Sequence, residues 1–263
     1  NQIEIIIIDD GSSDNTKIEI NKINNKIIKY YYIENSERGY ARNFGFKKSK
    51  GKYINFFDSD DMPLSNHISV AKKIISNKGF YVFHTSFIIE RKLKKNKLYF
   101  FNGVLNSKII KKNILSLNNV FIKREILIHN LFCDNRKLSG TEDWFLWIKI
   151  AKNYKIHGIK TITSKIIDDI TRSTSLINYD DLENRVSFID NFLKVDDYFK
   201  GILNDKQKNF IMAEMISLLC LYSSFKKNKI YTVNLFFKSI KLSYNTLFRM
   251  RNVIIIKNLF FNI

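Results

Sequence analysis

From Ile3 to Ile8 the chain is isoleucine except for Glu4, and the run is stopped at once by Asp9-Asp10-Gly11. A β-branched run of that length, ended by turn formers, reads as a strand buried on both faces, the kind found in parallel α/β sheets. Ser12 to Thr16 offers helix caps, Lys17 to Ile27 a helix, and Ile28 to Ile33 a second strand. A helix over Tyr40 to Lys48 then leads through Gly51 into a strand over Lys52 to Phe57. Alternation of this kind builds βαβ units and a doubly wound sheet, whose ligand crevice lies beyond the carboxyl ends of the strands. The acids after Ile8 and those after Phe57 both fall at such ends.

Pro63, the only proline, sits where it can start a helix running to about Ile75. Phe80 to Phe101 reads as strands broken by the basic stretch Arg91 to Lys97, a solvated hairpin. Val120 to Ile122 is a short strand, Arg124 to Asn130 a short helix, and Trp144 to Asn153 a helix entered through Gly140-Thr141-Glu142-Asp143. Beyond about Val186 the pattern is helical, with one apolar stripe at Met215, Leu218, Leu219 and Tyr222 and another at Ile230, Val233, Phe237, Ile240 and Tyr244. The expected division is an α/β region over 1–185 and a basic, aromatic-rich helical region over 186–263. At 45% hydrophobic and 26% charged residues the chain has a globular balance, which excludes wholesale disorder.

Lysine and arginine number 44 against 25 acids, a formal charge of +19. Such a surplus points to a polyanionic partner: nucleic acid, anionic headgroups or a phosphorylated substrate. Cys133 and Cys220 lie far apart without metal-ligand spacing, so both are expected to be free, buried and inert in a reducing, cytoplasmic setting. The most apolar long window, Phe210 to Phe225, is interrupted by Glu214 and falls short of the ~20 residues a spanning helix needs. After Glu214 there is no acid, while Lys226, Lys227, Lys229, Lys238, Lys241, Arg249, Arg251 and Lys257 punctuate aromatic and aliphatic residues. Helices of that composition either lie on an anionic membrane surface, apolar side down, or form an ordinary hairpin with solvated lysines.

Three acidic groups carry the chemistry. Asp58, Asp60 and Asp61 fall within four residues directly after a strand. One of them can cap the next helix, but three carboxylates that close repel one another, and a divalent cation relieves the repulsion. Hard oxygen ligands favour Mg²⁺ or Mn²⁺, which often bridge a few carboxylates to substrate phosphates. In Asp9-Asp10-Gly11-Ser12-Ser13-Asp14 a capped tight turn accounts for most positions, whereas Asp10 can accept hydrogen bonds from a base or ribose. Glu142 and Asp143 complement the dipole of the helix they start. Beside Trp144 and Trp147 they also have the composition of a general-base site with an aromatic wall for a sugar ring.

The succession DDGSSDNT (9–16), ERGYARNFGFKKSKGKYINFFDSDD (37–61) and FIKREILI…GTEDWFLWIKIAK (121–152) resembles the inverting family 2 glycosyltransferases of GT-A fold, over about residues 1 to 175. The resemblance implies an α/β, mostly parallel GT-A sheet followed by a helical region. It implies that Asp10 contacts the nucleoside, that Arg42 and Asn43 help hold the nucleotide, and that Asp58, Asp60 and Asp61 form the metal and diphosphate site for Mn²⁺ or Mg²⁺. Asp143 becomes the catalytic base, with Glu142 beside it and Trp144 lining the acceptor pocket. The implied partners are a nucleoside-diphosphate sugar donor and a glycan or glycolipid acceptor, such as a bacterial surface polysaccharide or lipooligosaccharide, with the protein peripheral on the inner face of the cell membrane.

Two departures matter. The family opens with a further buried strand, normally central and flanked by the strands corresponding to Ile3–Ile8 and Lys52–Phe57, and this sequence, starting at Asn1, lacks it. The chain therefore reads as truncated, with a sheet that either has a gap or re-pairs. Where the family often has a histidine after an arginine on a late strand, Arg172 is followed by Ser173-Thr174-Ser175, which leaves Arg172 as a candidate for the diphosphate. The rival from another class is a non-catalytic remnant that binds a partner or membrane. A nucleic-acid-binding protein fits less well, because the acidic clusters repel a phosphate backbone and no recognition motif is present.

Overall fold

The opening isoleucine run forms β1 (Ile5–Asp10) and pairs in parallel with β2 (Ile28–Ile33), Ile5 opposite Ile28 and Asp10 opposite Ile33. This is a computed structural model, and it describes residues 3–91, 95–138, 140–168, 179–195, 198–199 and 201–260. Residues 1–170 and 171–263 form two compact units. The anticipated division at 185/186 falls inside a helix of the second unit (Tyr179–Val195), so the units part earlier, after the last strand.

In the first unit, helix α1 (Thr16–Lys22) links β1 to β2, and α2 (Arg38–Lys48) packs on β1, with Gly45 against Ile8. The expectation that β1 is buried on both faces is not met: Ile5 is 43% exposed and Asp9 is the one residue of the strand that is buried. Among the described residues β1 has no strand partner besides β2, so one edge of it is unpaired. This is the gap expected between β1 and the third strand, β3 (Tyr53–Asn55), which belongs to a separate sheet. Glu4, the one polar residue of the run, accepts hydrogen bonds from Lys50 N at 2.5 Å and Gly51 N at 2.8 Å, just before β3. A side chain thus spans the interval that no ladder fills.

The larger sheet runs β3-β8-β5-β9-β4. Its members are β3, β4 (Met62–Pro63), β5 (Val82–Arg91), β6 (Lys97–Tyr99), β7 (Gly103–Val104), β8 (Val120–Lys123) and β9 (Ile156–Asp168), with β6 on β5 and β7 on β9. The ten-residue β5 lies parallel to β9, as the six-residue β1 does to β2, whereas the shorter pairings are antiparallel. The fold is therefore α/β, but the expected mostly parallel sheet is not met: β1 and β2 form a parallel pair of their own, and among the described residues β5–β9 is the one parallel pairing of the larger, mixed sheet. Pro63 does not start a helix; it pairs with Ser164 at the sheet edge, where its missing N–H costs nothing. Helix α3 (His67–Lys78) begins four residues later and ends at Gly79, whose φ of 58° suits glycine. Ala71 and Ile74 of α3 pack on Phe83 and Phe121, whose rings stack at 4.9 Å. Each ring buried there contributes roughly 2–3 kcal/mol. Helices α4 (Asn106–Ile109), α5 (Arg124–His129) and α6 (Glu142–Asn153) complete the unit, and Phe145 and Trp147 of α6 are fully buried.

The second unit comprises α7 (Tyr179–Val195), α8 (Asp205–Phe225), α9 (Lys229–Leu242) and α10 (Met250–Phe260). Asn204 and Gln207 form a reciprocal capping box at the start of α8. Of the stripe Met215, Leu218, Leu219 and Tyr222, Met215 and Leu219 are buried and the other two half-buried, whereas Ile230, Val233 and Phe237 of α9 are 79%, 38% and 65% exposed. Small polar groups take the inner face instead, with Thr232 meeting Ser223 at 2.8 Å and the Cys220 thiol donating to Thr232 O at 3.3 Å. Burial pushes the Cys220 thiol up to about 12, whereas Cys133 is only half-buried, contrary to expectation. Among the described residues no helix is long and apolar enough to cross a membrane.

Two of the basic residues after Glu214 are not solvated. Arg249 Nε reaches Glu214 Oε1 at 2.7 Å and Arg251 Nη2 bonds Glu214 Oε2, which fastens the start of α10 to α8. Glu214→Ala leaves two half-buried guanidinium groups without their counter-charge and is expected to cost about 3 kcal/mol. Native-state hydrogen exchange should show α10 losing protection first; unchanged protection in α10 would show that the triad does not hold it.

Candidate active site

The loop after β3 carries Asp58, Asp60 and Asp61, whose carboxylate oxygens lie within 4.8 Å of one another. Its shape is set by Asn118, a buried side chain in the turn that enters β8. Asn118 Oδ1 accepts from Asp58 N at 2.8 Å, and Asn118 Nδ2 donates to Asp61 Oδ2 at 2.6 Å. The other Asp61 oxygen accepts from Ile167 N of β9 at 3.0 Å. Asn118 is held in turn by Asn55 Nδ2, which donates to the carbonyls of Asn118 and Val120 at 2.9 Å each. Asn55 Oδ1 meets His67 Nε2 at 3.0 Å, and His67 Nδ1 lies 3.1 Å from Thr163 Oγ1. Burial lowers the His67 pKa, and Nδ1 also lies 3.2 Å from Thr163 O, so both ring nitrogens are engaged. A buried polar layer thus fixes two of the three acids from behind, while Asp60 is exposed.

Arg42, one turn into α2, joins this loop to the start of α6. Its Nη2 donates to Asp58 Oδ1 at 3.0 Å and its Nη1 to Glu142 Oε1 at 2.7 Å. Burial works against the charge on Arg42, but Asp58 and Glu142 more than offset it, and the pKa stands above the ordinary arginine value. The guanidinium also lies over the Phe132 ring, 5.4 Å from its centre. Glu142, 4% exposed, spends its second oxygen on Gly140 N at 2.5 Å.

Asp143, next along α6, is half-buried. Burial is the main cause that lifts its carboxyl, the adjacent Glu142 adds repulsion, and together they outweigh Asn113, Arg42 and Trp144 N, so the pKa is pushed up to about 6. Asn113 Nδ2 donates to both carboxylate oxygens, at 3.2 and 3.1 Å, and Trp144 N donates to Oδ1 at 2.7 Å. A carboxylate that exchanges its proton near neutrality is suited to general-base work.

The structure thus brings Arg42, Asp58, Asp60, Asp61, Glu142 and Asp143 together. The remaining sequence candidates stand differently. Asp10 accepts from Ser36 N at 2.7 Å and Glu37 N at 3.2 Å, so its carboxylate shapes the entry to α2, where Glu37 has a φ of 87°. Asp9 accepts from Ser12 N and the Tyr30 hydroxyl, in keeping with a capped turn. Asn43 is buried and spends its amide on Phe132, donating to its carbonyl at 2.9 Å and accepting from its N–H at 3.0 Å. It therefore seats the ring beneath Arg42, with both ends of its amide engaged by the Phe132 backbone. Where α2 passes that loop, a Cβ on Gly39 would lie 2.3 Å from Cys133 O, so only glycine fits. Trp144 is not an open aromatic wall: it is 6% exposed, and its indole donates to Ile109 O at 2.7 Å, because the first turn of α6 points that ring into the unit. Arg172 lies outside the described residues. Asn113 and Asn118 escaped the sequence reading, since asparagine in a loop gives no local sign of the acid it will meet.

The comparisons with known proteins agree with this architecture. A model of the family described as "Glycosyl transferase family 2" matches residues 1–130. An uncharacterized glycosyltransferase of Rickettsia felis is 34% identical over 172 residues, which cover 62% of this chain and 28% of that protein. The chain thus spans little more than a quarter of that relative. The Escherichia coli protein WfgD, a UDP-Glc:alpha-D-GlcNAc-diphosphoundecaprenol beta-1,3-glucosyltransferase, is 27% identical over 158 residues, 59% of this chain and 61% of its own. Among solved structures, residues 1–349 of S. aureus TarS in complex with UDP-GlcNAc superpose with a TM-score of 0.62 at 19% identity, covering 98% of this chain and 80% of that one. That likeness identifies the fold as GT-A. The matched segment carries β1 through α5 and the acidic loop, so residues 1–130 have the sequence pattern of glycosyl transferase family 2.

Proposed function

We propose that this chain transfers a sugar from a nucleoside-diphosphate sugar to a hydroxyl group of a glycan or glycolipid, with inversion at the anomeric carbon. The observation that carries the reading is the Arg42 fork between Asp58 and Glu142, which puts the acidic loop and Asp143 around one guanidinium. WfgD, named for a UDP-glucose donor and an undecaprenol-linked acceptor, and the UDP-GlcNAc complex of TarS support the classes of donor and acceptor.

Asp143 takes the proton from the attacking hydroxyl, and Asn113 and Trp144 N hold its carboxylate in place while it does so. Asp58, Asp60 and Asp61 suit Mn²⁺ or Mg²⁺: the donors are hard oxygens, close enough to share an ion, and one of them is open to solvent. Bound there, such an ion would neutralise charge on the departing nucleoside diphosphate. Arg42 has its charge matched by two carboxylates, so its part is to hold Asp58 and Glu142 in register. Asp10 shapes the loop at 35–37, which we assign to the nucleoside side of the crevice.

The second unit supplies an anchoring surface. Ile230 and Phe237 of α9, and Phe248, Met250 and Phe260 around α10, are exposed beside Lys229, Lys238 and Lys257, with no acid after Glu214. An apolar face with cations around it fits an anionic membrane, where a lipid-linked acceptor resides. Vesicles containing anionic lipid should retain the protein at low salt and release it at high salt; a failure to retain it at low salt removes the membrane from this account.

Replacing Asp143 tests the chemistry and the electrostatics together. Asp143→Asn should lower transfer by ~10²–10⁴, and near-normal transfer would refute the base assignment. Stability should move the other way. Because the folded pKa, about 6, lies above the ordinary aspartate value of 3.8, the wild type loses stability as pH rises between those values and stays lowered above them. At pH 8 the variant should therefore be more stable, by on the order of 1–3 kcal/mol, and near pH 4 the advantage should vanish. Thermal melts at the two pH values read this directly, and a variant destabilised at pH 8 would contradict it.

A further inference from the structure

The loop between α4 and β8 ends its helical turn at Lys112, whose N–H donates to Lys108 O at 3.1 Å, and Asn113 follows immediately. Two bonds pin the segment on either side. Upstream, the Trp144 indole donates to Ile109 O at 2.7 Å, so the helix that carries Asp143 also grips the end of α4. Downstream, Ser116 N donates to His84 Nε2 on β5 at 3.0 Å. His84 is fully buried against Phe101 and Phe87, and burial pushes its pKa down to about 3, so it is neutral and its Nε2 stays an acceptor at every working pH. The proton then sits on Nδ1, which has no partner. Between these two ties Asn113 has little freedom.

Its amide is used on one side only. Nδ2 lies 3.2 and 3.1 Å from the two Asp143 oxygens, while Oδ1 is buried and has no partner. Turning the amide over would bring a carbonyl oxygen against a carboxylate, so the charge on Asp143 selects the orientation seen and leaves Oδ1 unpaired. An amide N–H that meets both oxygens stabilises the ionised form and fixes the plane of the carboxylate. The charged groups acting on Asp143 are Glu142, beside it on α6, and Arg42, facing it from α2; the first favours protonation and the second opposes it.

We propose that Asn113 is the positioning residue of the base, delivered by a loop pinned to α6 and to His84, and that it keeps Asp143 ionised near neutral pH and aimed at the acceptor hydroxyl. This rests on Asp143 being the base.

The test is a carboxyl titration of the full chain by NMR with ¹³C-labelled aspartate, which needs no substrate. The Asp143 signal is identified as the one missing in Asp143→Asn. In Asn113→Ala its midpoint should rise by about one pH unit. Asn113→Asp, of the same shape, should give a coupled pair whose later step lies above the wild-type midpoint. Midpoints that stay put or fall in folded variants overturn the proposal, and so does loss of the fold in both variants, which would make Asn113 a strut. The two readings fail separately. Undiminished transfer by Asp143→Asn removes the base and leaves the titration result standing, whereas unmoved midpoints remove Asn113 and leave the base.

Discussion

One guanidinium ties together stretches of chain that are otherwise far apart in sequence. Arg42 comes from α2, Asp58 from the loop after β3 and Glu142 from the first turn of α6, and both ion pairs are made in partly or largely buried surroundings. Burying these charges is costly, and the cost is met because each partner has further hydrogen bonds: Gly140 N on Glu142, Asn118 on the Asp58 backbone, and the Phe132 ring beneath the cation. Without Arg42, Glu142 would be a buried carboxylate lacking its counter-charge, and the acidic loop would lose its link to α6. The site's geometry is a consequence of that balance, more than of the sheet alone.

Behind the charges stands a layer of neutral polar groups whose only role is geometric. Asn119 Nδ2 donates to Thr85 Oγ1 at 2.8 Å, Ser164 Oγ donates to Asn119 Oδ1 at 2.7 Å, and Thr85 and Thr163 share a hydrogen at 2.6 Å. With His67 and Asn55 they connect β5, β8, β9 and α3 to the acidic loop. Polar networks of this kind are costly when half satisfied and rigid when complete. Here completeness keeps Asp58 and Asp61 close together despite their mutual repulsion.

Much of this was legible where the signal is local. The isoleucine run, its Asp-Asp-Gly stop and the acids after Phe57 announce strand ends, and β2, α2, β8 and α5 follow from short-range pattern. What depended on distant partners was not legible. Pro63 becomes an edge strand because Ser164 lies beside it, and β9 is hidden by lysines at 160 and 165 that break its apolar run. Trp144 looked like a wall for a sugar, yet the rotation of α6 that presents Asp143 turns the indole inward. For α9 the sequence left open an apolar side laid on a membrane and an ordinary hairpin; Thr232, Leu235 and Ser239 are its buried residues, and Ile230, Val233 and Phe237 are exposed. Asn43 had the composition of a ligand group and serves Phe132.

The central claim is that the acidic loop and Asp143 share one site around a divalent cation. Paramagnetic broadening by Mn²⁺ tests it most directly, since the ion relaxes nuclei according to their distance from it. In a titration of the labelled protein, the carboxyl signals of Asp60 and Asp143 should broaden in the same step, and the effect at Asp143 should disappear in Asp60→Ala. Broadening of Asp60 with Asp143 left sharp, or broadening of Asp143 that survives Asp60→Ala, would contradict the account.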